Sequence, residues 1–138
     1  MSKPFVADAS IGLAWVHPSQ ATALTVKLLA DVEAGAAAHV PGLWPLEIGN
    51  ALLVAARRKL MSDNQRKSAL ELLSRLTIVV DPETASHAWT QTSALAGKYR
   101  LSIYDASYLE LALRRGLPLA SRDEPLRAAA KKAGVKVL

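Results

Sequence analysis

The sequence contains no cysteine, which excludes both a disulfide framework and a metal site built on thiolates. It also has no glycine-rich phosphate loop with a Gly-Lys-Ser/Thr signature, so nucleotide-binding enzymes of that kind are excluded. Aromatic residues are few, at 5% of the chain. We expect the three tryptophans, Trp15, Trp44 and Trp89, to lie in the core or at a subunit interface rather than to stack on nucleic-acid bases.

Long apolar runs are missing as well. The longest stretch without a charged residue covers residues 9–26 and is interrupted by Gly12, His17 and Pro18. A bilayer span needs about 20 mainly apolar residues, so this stretch does not qualify. The beginning of the chain, with Lys3 and Asp8, lacks the apolar region of a secretory signal. We therefore expect no membrane segment and a cytoplasmic location.

The composition that is present indicates one folded domain over residues 1–138. The chain is 51% hydrophobic, enough for a sizeable core, and its length is typical of a single domain. Lysine and arginine outnumber aspartate and glutamate by 17 to 12, which gives a net charge of +5. A basic balance favours polyanionic partners but does not identify them.

Short apolar runs alternate with longer helical patterns, which predicts an α/β fold with an open parallel sheet covered by helices on both faces. The predicted strands are 5–7, 38–40, 77–80, 119–120 and 135–138, and the predicted helices are 10–16, 21–34, 45–60, 63–76, 84–99, 103–115 and 125–133. Three serines are expected to cap helices through their hydroxyls, namely Ser19, Ser62 and Ser102. Three glycines are expected to end helices with a positive φ, namely Gly35, Gly116 and Gly134.

Ligands of an open parallel sheet bind beyond the carboxyl ends of its strands, and five acids fall at this predicted edge: Asp8, Glu47, Asp81, Asp105 and Asp123. Each also has an ordinary structural explanation as a helix cap, a turn residue or a partner of a helix dipole. Several carboxylates at one edge repel one another, and such a cluster normally persists because a cation neutralises it. Carboxylate and water ligands suit Mg²⁺ or Mn²⁺.

The distribution of the remaining charge supports this interpretation. Without Asp8, Glu47, Asp105 and Asp123, the chain keeps eight of its 12 acids against 17 basic residues. An acidic metal pocket within a basic surface suits metal-assisted hydrolysis of a phosphodiester, because basic side chains hold the phosphates while the metal assists the attack at phosphorus.

Four blocks of sequence resemble the PIN-domain nucleases, and most of all the VapC-type toxins of bacterial type II toxin–antitoxin pairs. The blocks are residues 6–10, 45–52, 101–112 and 119–126, and they occur in the family's order over nearly the whole chain. Ser121 stands where threonine is frequent in the family and keeps the hydroxyl. The resemblance implies a three-layer α/β/α fold around a central parallel sheet. It also implies a site of four acids that excludes Asp81.

The resemblance further implies the chemistry and the partners. It implies a Mg²⁺- or Mn²⁺-dependent endoribonuclease that hydrolyses RNA, forms a homodimer and is inhibited by a small cognate VapB-type antitoxin. In this interpretation Asp8, Asp105 and Asp123 hold the metal directly or through water, while Glu47 completes the site and helps to position the attacking water. Four further residues are candidates for a contact with the substrate or for supporting the acids, namely Ser10, Asn50, Ser121 and Arg122.

Two alternatives stay open at this stage. One is a PIN-domain nuclease for RNA processing or for DNA, without an antitoxin, which the residues around the pocket do not distinguish from a toxin. The other is a catalytically inactive binding module, against which the four intact acids argue.

Overall fold

Four short parallel strands form the sheet at the centre of the structure, a computed structural model that describes residues 3–138. The strands are β1 Phe5–Ala7, β2 Ala38–Val40, β3 Ile78–Val80 and β4 Leu119–Ala120, in the spatial order β3-β2-β1-β4. The α-helices of this part of the chain are α1 Ala9–Val16, α2 Ala23–Glu33, α3 Trp44–Arg57, α4 Asp63–Ser74, α5 Thr84–His87, α6 Gln91–Tyr99, α7 Ile103–Arg115 and α8 Glu124–Lys132.

The sheet is the buried middle layer of the fold. All three residues of β1 are at most 2% exposed, because β1 lies between β2 and β4 and is covered on both faces. Helices α1 to α4 pack against one another on one side, and α6 to α8 pack together on the other, with α7 against β1. The predicted three-layer α/β/α fold is therefore confirmed. Within residues 3–138, no helix is long and apolar enough to cross a membrane.

Two predicted elements differ from the structure. The predicted strand 135–138 is reduced to a single bridge between Val137 and Leu119, which extends the sheet beyond β4 by one residue pair. The predicted helix 84–99 is divided into α5 and α6, because Thr90 has φ −113° and ψ −100°, outside the helical region. The side chain of Trp89 in this break is 95% exposed, whereas Trp15 and Trp44 lie in the core.

The predicted helix ends are mostly confirmed. The hydroxyls of Ser62 and Ser102 accept hydrogen bonds from backbone amides in the first turns of α4 and α7. The expected cap at Ser19 is wrong: α2 begins later, after Thr22, whose hydroxyl accepts from the Thr25 amide. Helix α3 ends at Arg57 rather than at residue 60. The three glycines that were expected to end helices all have positive φ, as at Gly116 with φ 64°.

A buried ion network joins the end of β3 to α7. The guanidinium of Arg114 donates to both carboxylate oxygens of Asp81, at 3.1 and 2.6 Å, and to both oxygens of Glu110, at 2.8 and 3.0 Å. The side chains of Asp81 and Glu110 are only 2% and 6% exposed. Burial raises the pKa of Asp81, but the hydrogen bonds from Arg114 and Thr84 bring that pKa below its ordinary value. Asp81 is thus a structural acid with its own cation.

The substitution Arg114→Met should lower the free energy of unfolding by about 3–5 kcal/mol, because it leaves the buried carboxylate of Glu110 without a cation and that of Asp81 with only Arg115, at 3.8 Å. Urea denaturation measures this loss. The matched control is Arg75→Met, which removes an exposed pair with Glu71 and should cost less than about 1 kcal/mol. Equal losses in the two variants would contradict the structural role of the network.

Candidate active site

The topology of the sheet brings four of the predicted acids to one edge. The chain leaves β1 towards β2 on one side and reaches β4 on the other, so a crevice opens beyond the carboxyl ends of β1 and β4. Asp8 directly follows β1, and Asp123 follows β4 at the start of α8. Glu47 and Asp105 lie in the first turns of α3 and α7. These first turns face the crevice with the positive ends of the helix dipoles.

Asp8 is the most buried acid of this group, at 5% exposure. Its Oδ1 accepts hydrogen bonds from the Ser10 hydroxyl at 2.5 Å and from the Ile11 amide at 3.3 Å. Its Oδ2 accepts from the Ser121 hydroxyl at 2.5 Å. A carboxylate offers about four lone-pair positions, so these donors leave one acceptor position on Oδ2.

The surroundings of three site acids, Asp8, Glu47 and Asp105, disfavour the ionised form of each. Burial raises the pKa of Asp8, although the hydrogen bonds that its carboxylate accepts oppose this rise. Burial also raises the pKa of Glu47, and the charges of Asp105 and Asp8 raise it further. The pKa of Asp105 is raised by burial and by the charges of Asp123 and Asp8. Asp8, Glu47 and Asp105 therefore lie close enough for their charges to repel, and Asp123 lies close enough to act on Asp105.

Tyr108 is a site residue that the sequence analysis missed. Its hydroxyl donates to Oε1 of Glu47 at 2.6 Å, and its side chain is 1% exposed. Tyr108 lies three residues after Asp105 on α7, a spacing that places both on one helix face. That spacing is the signal in the sequence that could have identified Tyr108.

The structure places the four secondary candidates in different surroundings. Ser10 and Ser121 both donate to Asp8, and they accept from the backbone amides of Arg122 and Asp123, respectively. The guanidinium of Arg122 donates to the carbonyl of Gln20 at 2.9 Å. Asn50 is exposed on α3, and the hydrogen bond to Glu47 within residues 3–138 comes from Tyr108.

The donor set of the pocket fits a hard divalent cation. Carboxylate oxygens are the ligands that Mg²⁺ and Mn²⁺ prefer. Across residues 3–138, no three histidine or acidic side chains are arranged tightly enough to enclose an ion by themselves. A divalent cation held at this site would therefore keep part of its water shell, as Mg²⁺ commonly does.

Comparisons with known proteins agree with this fold. A model of the PIN domain matches residues 5–132. The structure is similar to that of PAE2754 from Pyrobaculum aerophilum, with 26% identity, a TM-score of 0.65 and coverage of 94% of this chain and 87% of that one. It is also similar to VapBC2 from Rickettsia felis bound to a DNA fragment from its promoter, with 14% identity, a TM-score of 0.64 and coverage of 98% and 97%.

A third similar structure is FitAcB from Neisseria gonorrhoeae, with 17% identity, a TM-score of 0.62 and coverage of 97% of this chain and 96% of that one. At identities this low, the second and third likenesses establish the fold alone. No curated protein sequence matches the chain.

The substitution Asp105→Asn should raise the free energy of unfolding of the metal-free protein at pH 7. The raised pKa of Asp105 means that the ionised carboxylate is less stable in the folded state than in the unfolded chain. The gain should shrink as the pH falls through the raised pKa towards the ordinary value of 3.8, because the wild-type carboxyl then takes up a proton. Urea denaturation at several pH values in EDTA measures both effects.

The control for this experiment is Asp63→Asn. The pKa of Asp63 is lowered by hydrogen bonds from Arg66 and Lys67, so removing its charge should destabilise the protein at pH 7. The two variants should therefore change stability in opposite directions. A loss of stability in both at pH 7 would contradict the repulsion among the site acids.

Proposed function

The chain belongs to the PIN-domain family, and from that premise we propose that it is a metal-dependent endoribonuclease that acts as the toxin of a toxin–antitoxin pair. PIN domains are in general nucleases that use divalent metal ions. One observation carries the proposal: the four acids of the pocket form no salt bridge within residues 3–138, whereas the buried acid Asp81 is neutralised by Arg114. A cluster of acids with no internal cation suits an external one.

In the proposed site, Asp8, Asp105 and Asp123 would hold Mg²⁺ or Mn²⁺ directly or through bound water, with Glu47 completing the set. When bound, such an ion would lower the pKa of a water molecule and offset the charge that develops on the phosphoryl oxygens. Glu47 keeps Oε2 without a hydrogen-bond partner in the described part of the chain, so this oxygen can orient the attacking water and take up its proton. Ser10 and Ser121 hold the Asp8 carboxylate in one orientation.

The net charge of +5 favours a polyanionic substrate, although three of the basic residues lie at the opposite end of α3 from Glu47. Arg57, Arg58 and Lys59 are exposed at the end of α3, and none of the three forms a salt bridge within residues 3–138. Such side chains contact phosphates without reading the sequence. The choice of RNA follows the resemblance to VapC-type toxins. The second candidate function is a PIN-domain nuclease for RNA processing or for DNA, without an antitoxin.

A VapB-type antitoxin and a second copy of the chain are the proposed protein partners. The Rickettsia felis structure is a VapBC complex, and a similar structure from Klebsiella pneumoniae is described as a toxin–antitoxin complex, with 20% identity and a TM-score of 0.56. A homodimer interface would account for the indole of Trp89, which is 95% exposed. Val79 and Val80 are also exposed, on the edge strand β3.

Cleavage of RNA should require both the metal and the acids. EDTA should stop it, and Mg²⁺ or Mn²⁺ should restore it. Asp105→Asn should lower kcat by more than about 100-fold, because even residues that only support metal ligands cost up to about 100-fold. Gel assays with total RNA measure this, with Asp63→Asn as a folded, active control. Undiminished cleavage in EDTA, or full activity of Asp105→Asn, would contradict the metal site.

Expression of the wild-type chain alone should arrest growth, and co-expression of a neighbouring small gene should restore it. The antitoxin should place an arginine or lysine near the four acids, because a guanidinium binds carboxylates through two parallel hydrogen bonds. Asp105→Asn should be harmless and should still co-purify with the antitoxin, since most of the interface would lie outside the pocket. Normal growth with the wild-type chain, and no co-purifying partner, would favour the processing nuclease instead.

A further inference from the structure

Glu47 is held in a different way from Asp8. Three donors fix the two oxygens of Asp8, and two of them are serine hydroxyls close to it in the fold. Glu47 has a longer side chain with more rotatable bonds, and the hydrogen bond that fixes it within residues 3–138 comes from the Tyr108 hydroxyl. The orientation of the Glu47 carboxylate therefore depends on one donor.

The start of α3 gives Glu47 little other support. The residue before the helix, Leu43, provides no side-chain cap, and the neighbouring Leu46 is 77% exposed. Helix α3 packs mainly against α1 and α4, whereas α7 packs against α6, α8 and β1. The bond from Tyr108 to Glu47 thus crosses from one helical layer to the other, between residues that are 61 positions apart.

Tyr108 is well suited to hold a carboxylate in place. Its ring is 1% exposed on the buried face of α7, so the position of its hydroxyl is set by the packed core. The hydroxyl lies 2.6 Å from Oε1 of Glu47 and donates a hydrogen bond to it. By occupying Oε1, the hydroxyl leaves Oε2 of Glu47 as the oxygen without a hydrogen-bond partner in the described residues.

We propose that Tyr108 is a positioning residue that fixes the Glu47 carboxylate in the orientation the metal-dependent reaction needs. The inference rests on the proposed function and adds to it a residue outside the four acids. It follows that the Tyr108 hydroxyl contributes to metal binding and to turnover through Glu47, while RNA binding does not depend on it.

The test is Tyr108→Phe, which deletes the hydroxyl and keeps the buried ring. Calorimetric titration of the metal-free protein with Mn²⁺ should show an affinity about 10-fold weaker than that of the wild type, as is usual when a partner of a metal ligand is lost. In cleavage assays kcat should fall while KM for RNA stays within about twofold. The matched control is Tyr99→Phe on α6, because the Tyr99 hydroxyl forms no hydrogen bond to the four acids within residues 3–138, and it should leave Mn²⁺ affinity and kcat unchanged.

A second pair of variants separates positioning from a merely structural role. In a Glu47→Gln background, Tyr108→Phe should cause no further loss of Mn²⁺ affinity, because the residue acts through the Glu47 carboxylate. A structural defect would instead reduce affinity by the same factor in both backgrounds. Thermal unfolding of the four proteins checks that each is folded at the temperature of the assay.

The outcomes distinguish this inference from the proposed function. Unchanged Mn²⁺ affinity and kcat in Tyr108→Phe, or equal losses in both backgrounds, would overturn the role of Tyr108 alone. Coupled loss of Mn²⁺ affinity in a chain that cleaves no RNA would support the role of Tyr108 and overturn the endoribonuclease. A wild-type chain that binds no Mn²⁺ would overturn both.

Discussion

The burial of the Asp8 carboxylate is the constraint on which the site depends. Asp8 follows β1, a buried strand between β2 and β4, where an ionised carboxylate is costly unless it is hydrogen-bonded. The hydroxyls of Ser10 and Ser121 donate such hydrogen bonds to Asp8. They also accept hydrogen bonds from the backbone amides of Arg122 and Asp123, respectively. One buried charge thus connects the end of β1 to the loop between β4 and α8, and so holds Asp123 beside the same crevice.

Two groups of acids at this side of the fold differ in how their negative charge is compensated. Asp81 and Glu110 share the guanidinium of Arg114, so their charges are neutralised inside the chain. The acids around Asp8 have hydrogen-bond donors but no cation within residues 3–138, and burial and mutual repulsion raise the pKa of Glu47 and of Asp105. The first group stabilises the fold, whereas repulsion within the second group destabilises it, and a bound cation would reduce that repulsion.

The sequence predicted those features of the fold that depend on residues close together in the chain. The alternation of short apolar runs and helical patterns predicted the α/β layers, and glycines predicted three helix ends, because helix and strand formation depends mainly on neighbouring residues. Spacing alone could not separate Asp81 from the four site acids, since its partner Arg114 is 33 residues away. The bond from Tyr108 to Glu47 spans 61 residues and was missed for the same reason. The roles of the four acids stay predictions, because the fold fixes their positions and not their chemistry.

The negative charge that would bind a metal ion in the pocket would also bind a cationic side chain of an inhibitor. A divalent ion and an arginine from an antitoxin both offer positive charge to the same four carboxylates, so under the proposed function they compete for one place. Each would lower the raised pKa values of Asp8, Glu47 and Asp105, and each would therefore stabilise the folded chain. Because the chain keeps no cation of its own in this pocket within residues 3–138, an inhibitor need not displace an internal salt bridge. Inhibition and catalysis would then follow from the same uncompensated charge.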